Sequence, residues 1–441
     1  MTALRSTPPP GRCRAVATTP DRPWQSLVPS GRRPDVTLQV TEEAFQSWDG
    51  FGGCFNEMGW DVIQCLPARE RTRLFRDLFA PEDGCRFTLG RLPIGASDYA
   101  LEWYSHNETP GDYAMRHFAI DRDRQYLIPY LRAARAVQPE LRLFASPWSP
   151  PTWMKSPRVY NYGTLVWDRP TLDAYALYFV RFVQAYAAEG LPIAQIHVQN
   201  EPLADQKFPS CLWTGAQLRD FIRDHLGPAF RKHKIASEIW LGTLNTDNYR
   251  DYPQALFSDP RAAAFTAGIG LQWAGKGMVQ RLNHALPGVP LMQTENECGN
   301  GDNSWAYARY IFNLMWHYIT NGVRAYVYWN MVLPPGGRSS WGWTQNAMIT
   351  VDPATRRFQY NPEFYVMKHY AAFITPGARR LGVHGPLAAD AVAFRNPDGE
   401  TVVVLQNPSN DATCRVALRA GAGKALTLEL PPGAFASARL A

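Results

Sequence analysis

Ile193-Ala-Gln-Ile-His-Val-Gln-Asn-Glu-Pro202 is a short apolar run of β character that ends abruptly in polar residues and a proline. Four to eight such residues bounded by a breaker have the signature of a buried strand. Pro290-Leu-Met-Gln-Thr-Glu-Asn-Glu-Cys298 has the same design, with a carboxylate again just past the apolar run. Runs of this kind recur on both sides of these two, at Gly50–Cys54, Phe87–Pro93, Leu141–Ser146, Ile193–Val198, Ile239–Gly242, Ile269–Gln272, Leu291–Thr294 and Ala325–Trp329. Amphipathic stretches separate them, among them Arg71–Leu78, Tyr126–Val137, Leu172–Ala188, Ala216–His225 and Tyr307–Thr320, with apolar residues at three- and four-residue steps. Alternation of buried strands with helices builds parallel βα units, and eight of them close a barrel. The expected fold is therefore α/β, a (β/α)8 TIM barrel.

Beyond a helical stretch at Phe364–Phe373 the pattern changes. Short runs at Val383, Ala388–Phe394, Val402–Gln406, Val416–Leu418 and Leu426–Leu430, with a turn at Asn396-Pro-Asp-Gly399, predict an attached antiparallel β-sandwich module. The alternating stretch Asp35-Val-Thr-Leu-Gln-Val-Thr41 lies too far upstream for the barrel and is expected to complete that module. The expected organisation is a flexible leader over 1–34, a sandwich strand within 35–49, a catalytic barrel over 50–375 and the sandwich over 376–441.

Composition limits the function. The 441 residues are 46% hydrophobic and 19% charged, an ordinary globular balance. Fifteen Trp and twenty Tyr are many, and flat amphipathic rings stack well on sugar faces. The charge of +6 comes from scattered Arg without a basic run, so no nucleic-acid partner is expected. Seven Cys, at 13, 54, 65, 85, 211, 298 and 414, form no CxxC pair and no zinc spacing, and are read mostly as buried free thiols. Neither HExxH nor a phosphate loop is present, Gly50-Phe-Gly-Gly53 being read instead as a close-packed barrel entrance, so no metal or cofactor is expected. His197, inside a strand, is read as a core residue. No apolar run approaches a membrane span, and none in Met1–Arg22 resembles a secretory signal; the chain as given is expected in the cytoplasm, or outside the cell if its start has been trimmed. The oligomeric state has no sequence signal.

Active sites of such barrels assemble at strand C-termini. Glu201 ends the fourth strand and Glu295 the seventh, the placement that two carboxylates need to work on one glycosidic bond. Asn200 can donate to a sugar hydroxyl, and Pro202 fixes the exit from the strand. Asn-Glu-Pro alone also fits a helix or loop start, and the second Glu at a matching strand end weighs against that. Glu297 competes with Glu295 for the attacking role; the apolar run stops at Met292, which favours Glu295 and leaves Glu297 as a supporting acceptor or loop residue. Proline-stiffened Ser146-Pro-Trp-Ser-Pro-Pro-Thr-Trp153 presents Trp148 or Trp153 after the third strand, Asp98 follows the second, and Trp329-Asn330 ends the eighth. The Gly-rich loop Pro334–Trp343, with Asn346 close by, is expected to roof the cleft.

Taken in order, Gly50-Phe-Gly-Gly-Cys-Phe55, Arg91-Leu-Pro-Ile-Gly-Ala-Ser-Asp-Tyr99, Ala145–Lys155, Gln199-Asn-Glu-Pro202, Gln293-Thr-Glu295 and Tyr328-Trp-Asn330 resemble glycoside hydrolase family 30, the glucosylceramidase-like enzymes, from about Asp35 to the C-terminus. The resemblance implies a barrel with a β-sandwich that borrows an N-terminal strand, and retention of anomeric configuration. It implies Glu201 as acid/base and Glu295 as nucleophile, with Asp98, Trp148, Asn200, Trp329 and Asn346 binding the sugar and Gln272 placed with them. Where glucosylceramidases carry His-Trp-Tyr this chain has Gln272-Trp-Ala274, Asn56-Glu57 replaces a common Thr-Asp, and Glu297-Cys298 alters the nucleophile loop. The expected activity is retaining hydrolysis of β-glucosides, β-glucan or glucosylceramide-like substrates. A β-xylosidase or endo-β-glucanase of the same family is the alternative, and a non-catalytic carbohydrate-binding protein the rival from another class.

Overall fold

The computed structural model of the chain describes residues 14–421 and 425–440. Its barrel strands are β1 (Gly50–Cys54), β2 (Leu89–Pro93), β3 (Arg142–Ser146), β4 (Ile193–His197), β5 (Glu238–Leu244), β6 (Thr266–Gln272), β7 (Leu291–Glu295) and β8 (Ala325–Asn330). Every neighbouring pair is parallel, and β8 returns to β1 to close the ring. All eight expected strands are present, within a few residues at each end. β1 and β2 approach so closely that a Cβ on Gly52 would lie 1.9 Å from the carbonyl oxygen of Leu89, so Phe51-Gly-Gly-Cys54 serves packing here.

The barrel interior changes character along its axis. Leu89, Phe144, Trp240, Met292, Ala325 and Val327 fill the lower layer, with His197 between Phe144 and Trp240 at ring separations of 4.9 and 5.3 Å. Nδ1 of His197 pairs with the Gly242 carbonyl oxygen at 2.6 Å, and burial depresses the imidazole to about 3, so it is a neutral core residue. Two residues further along their strands, Leu89 gives way to Arg91 and Phe144 to Ser146 on the same inward face. The upper layer is thus polar, and it faces the loops.

The expectation of a flexible leader through residue 34 is corrected. Ala15–Thr18 pairs with Phe435–Leu440 and with Gln25–Ser26, so the chain enters the sandwich twenty residues before the strand expected to do so. Residues 1–13, with Cys13, lie outside the described residues. Nine strands form this sheet, ordered from Gln25–Ser26 through Ala15–Thr18, Phe435–Leu440, Thr401–Gln406, Ala391–Arg395, Arg379–His384, Val36–Ser47 and Cys414–Ala420 to Leu426–Leu430. The pairing is antiparallel except between Val36–Val40 and Val416–Ala420, which run parallel. Val36–Ser47 is long enough to serve two partners, Arg379–His384 being the other.

Alternation along these strands splits the sandwich between two cores. Ala391, Ala393, Val403, Leu405 and Ala438 face the inside of the sandwich, whereas Val392, Phe394, Val402, Val404 and Phe435 join the barrel core. The helices Trp305–Thr320 and Pro362–Ala371 carry the junction, where Trp316 Nε1 donates to the carbonyls of Ala388 and Ala391.

Candidate active site

A cavity of about 740 Å3 opens at the C-terminal ends of the strands and is lined by Asp98, Trp148, Asn200, Glu201, Glu295 and Gln345, among others. Glu295 is the last residue of β7. A register shift between the Leu271–Gln293 and Gln272–Glu295 pairs sets Glu295, rather than Thr294, opposite Gln272, and this irregularity turns the carboxylate into the barrel mouth. There its Oε2 accepts from Arg91 Nη1 and, at 2.9 Å, from Gln272 Nε2. Burial pushes the Glu295 carboxyl up, and the Arg91 charge and hydrogen bond pull it back.

Glu201 reaches the cavity differently. Beyond β4 the backbone keeps a bridge from Asn200 to Thr243, the Glu201 N–H donates to the Thr243 carbonyl at 3.1 Å, and Glu201 takes φ 47°. A left-handed glutamate costs of order 1 kcal/mol or more and persists where its surroundings impose it. Its carboxyl is pushed well above the usual carboxylate range by burial, the charge of Glu295 adds to the rise, and Asp98 adds to it when ionised. One cleft therefore holds a carboxyl biased to stay protonated and a carboxylate gripped by a guanidinium.

Arg91 organises the layer beneath. Its Nη2 donates to Asn200 Oδ1 at 2.6 Å and to Ser146 Oγ at 3.1 Å, and its charge lies 4.7 Å from the Trp148 ring and 5.3 Å from that of Trp329. Asn200 Oδ1 also accepts from Thr243 Oγ1 and Gln272 Nε2, each at 2.9 Å, which leaves its amide nitrogen for the cavity. Asp98 is 5% exposed, with one oxygen unpartnered among the described residues. Burial, reinforced by Glu295, pushes its carboxyl up to about 8.

The remaining expected site residues divide. Trp329 is buried behind Trp148, stacked on it at 5.4 Å, and Gln272 supports Glu295 and Asn200 from below. Asn346 does not line the cavity: it is 1% exposed and turned toward Glu363 and Gly301. Its neighbour Gln345 takes the lining position, with Oε1 accepting from Trp329 Nε1 at 2.8 Å and Asn330 Nδ2 at 2.9 Å. Glu297 sits at the rim, its carboxylate accepting from the Tyr310 hydroxyl and lying 3.8 Å from Lys276 Nζ. Trp153 packs in the core and donates to the Asn107 carbonyl. The roof loop is as expected over the cleft, with Trp341 and Trp343 on the cavity and Ser340 bonded to the Asp98 carbonyl. Arg91 had one sequence signal, a charge inside the buried run Leu89-Gly-Arg-Leu-Pro93; Gln345 had none. Six free Cys are described; Cys54, Cys85 and Cys211 are buried, and Cys65, Cys298 and Cys414 are partly so. No described helix is long and apolar enough to cross a membrane.

The chain is similar to several known proteins along nearly its whole length. Mouse lysosomal acid glucosylceramidase is 30% identical over 412 residues, 85% of this chain and 78% of its own length. The endo-1,6-beta-D-glucanase of Neurospora crassa is 28% identical over 411 residues, 87% of this chain and 82% of its own. SrfJ from Salmonella typhimurium superposes with a TM-score of 0.87 at 25% identity, covering 97% of this chain and 98% of that one. Residues 48–374 match the glycosyl hydrolase family 30 TIM-barrel domain and residues 377–438 the family's beta sandwich domain. The chain belongs to glycosyl hydrolase family 30 and is a glycoside hydrolase.

Proposed function

We propose that the protein is a retaining β-glucosidase-type hydrolase in which Glu295 attacks the anomeric carbon and Glu201 protonates the departing oxygen, then deprotonates the water that releases the sugar. The observation that carries the roles is the unequal setting of the two carboxyls. Burial raises both, but Arg91 donates to Glu295 and opposes the rise there, with Gln272 donating to the same oxygen, whereas Glu201 is pushed well above the usual range by burial and by the charge of Glu295. Once Glu295 becomes a glycosyl ester its charge is gone, the pKa of Glu201 falls, and the same residue can serve as base. Retention further requires the carboxyl groups to stand about 5–5.5 Å apart, leaving no room for an intervening water.

Asp98, Asn200 and Gln345 supply the polar groups for the hydroxyls of the cleaved sugar, and Trp148 an apolar face for its ring. Leu203, Phe208, Trp341 and Trp343 add apolar surface to the same cavity, suited to an apolar or sugar aglycone. Glucose is the favoured sugar, since the mouse relative is named for a glucosylceramide and the fungal one for a β-glucan. The test is Glu201→Gln. Loss of turnover on alkyl β-glucosides with accumulation of the covalent intermediate from a dinitrophenyl β-glucoside is expected, whereas equal loss on both would remove Glu201 from the acid role.

A further inference from the structure

Glu363, in the first turn of the helix Pro362–Ala371, is 0% exposed and has no part in the chemistry above. Its Oε1 accepts from Asn346 Nδ2 at 2.6 Å, and its Oε2 has no hydrogen-bond partner among the described residues. A buried carboxylate so poorly satisfied is costly and needs a reason. Asn346 supplies one. Its Oδ1 accepts from the Gly301 N–H at 2.8 Å, its own N–H donates to the Cys298 carbonyl at 2.7 Å, and the next N–H, of Ala347, donates to Asn303 Oδ1 at 3.0 Å. Gly299, at φ 65°, lies so near that a Cβ there would be 2.7 Å from the Asn346 side chain. The segment tied down in this way follows Glu295 directly, and its residues Cys298, Gly299, Asn300 and Asp302 line the cavity.

We propose that Glu363, acting through Asn346, is a positioning residue that latches the wall from Cys298 to Asn303 in the shape the substrate needs. The idea rests on the cavity being the glycosidase site. Asp302 on the wall itself, Tyr307 on the helix Trp305–Thr320 and Tyr328 on β8 are the titratable groups that face Glu363. Burial pushes the Glu363 carboxyl up to about 7 against the pull of its own backbone N–H and of Asn346. The latch is accordingly neutral in mild acid and charged above neutrality, and a charged acceptor holds the Asn346 amide more tightly.

The experiment compares Asn346→Ala, Glu363→Leu, Glu363→Gln and the Asn346→Ala/Glu363→Leu pair by kcat and KM on an aryl β-glucoside and by amide hydrogen exchange over residues 298–303. The alanine and leucine variants are expected to raise KM about tenfold with kcat little changed and to speed exchange of the wall, with the pair no worse than Asn346→Ala alone. Glu363→Gln, which keeps an acceptor for Asn346, is expected to match the parent at pH 6 and to lack its lower KM above pH 7. Unchanged KM and exchange in Asn346→Ala, or losses that add in the pair, overturn the latch. Should Glu363→Leu not fold, Asn346→Ala and Glu363→Gln decide alone. Absence of turnover in the parent enzyme would sink the glycosidase reading, and the exchange data would still judge the latch.

Discussion

Arg91 donates to the carboxylate of Glu295 across the barrel mouth, from β2 to β7, while its charge lies against the Trp148 ring at 4.7 Å. The pair is buried, 0% exposed on the Arg side chain and 9% on the Glu, so neither charge is relieved by water. Breaking a buried pair from one side commonly costs 3–5 kcal/mol, because the other charge is left uncompensated.

Arg91→Met is therefore expected to lower kcat/KM by about a thousandfold. The sign of the pH effect follows from Arg91 pulling the Glu295 carboxyl down against burial: without it the carboxyl rises further, and the acid limb of kcat/KM moves to higher pH. Arg91→Lys keeps the charge but loses the second arm to Asn200, and about a tenfold loss with a smaller shift is expected. The pH profiles of both variants check this; an acid limb that stays in place in Arg91→Met would show that Arg91 does not control the ionisation.

Glu297 is the natural competitor of Glu295 and lies at the rim, bonded to Tyr310 with its side chain 38% exposed. Glu297→Gln should keep kcat/KM within about threefold, in line with the small worth of an exposed ion pair. Peptide mapping after trapping with a 2-deoxy-2-fluoro glucoside bearing a good leaving group should find the sugar on Glu295, and label on Glu297 would reverse the assignment.

The barrel was legible because its strands are largely buried on both faces and so form short, mainly apolar runs, each closed by polar residues. The same contrast exposed Glu201 and Glu295, which follow such runs directly. Ala15-Val-Ala-Thr18 and Phe435-Ala-Ser-Ala-Arg-Leu440 were not legible, since Ala and Ser carry little β preference and long-range pairing alone makes these segments strands. Gln345 and Asn346 sit in a long irregular loop with no period to say which faces inward. The sequence resemblance favoured Asn346, and the fold turns it to Glu363.

Asp98, its carboxyl pushed up to about 8, is biased toward the neutral form near pH 7, and one of its oxygens has no hydrogen-bond partner among the described residues. A substrate hydroxyl can fill that position. Asp98→Ala is expected to lower kcat/KM by about a hundredfold, near the upper range for a hydrogen bond to a charged or strongly polarised group. Asp98→Asn, isosteric with the neutral acid, should lose less below pH 8 than above it. Equal losses across pH 6–9 would mean that ionisation of Asp98 plays no part in sugar binding.

His369 ties the barrel helix Pro362–Ala371 to the sandwich, and the network fixes its proton. Ser437 Oγ donates to the His369 carbonyl at 2.8 Å and so accepts from Nδ1 at 2.8 Å, leaving Nε2 to accept from Thr18 Oγ1 at 2.9 Å. A second proton on Nε2 would oppose the Thr18 hydroxyl in an interior already charged by Lys368. Burial first, and Lys368 second, depress the imidazole to about 3. A histidine with a depressed folded pKa contributes a stability that is whole above its unfolded value near 6.5 and is lost as pH falls below it, at about 1.4 kcal/mol per pH unit. His369→Gln should cost about 1–3 kcal/mol at pH 7 through the Thr18 and Ser437 hydroxyls it leaves imperfectly paired. Its decline in stability between pH 6.5 and 5 should nonetheless be shallower than the parent's by one such increment per unit, His197 supplying a similar slope in both proteins. Denaturant unfolding at pH 7, 6 and 5 measures the difference, and parallel declines in parent and variant would show that the junction does not depend on a neutral His369.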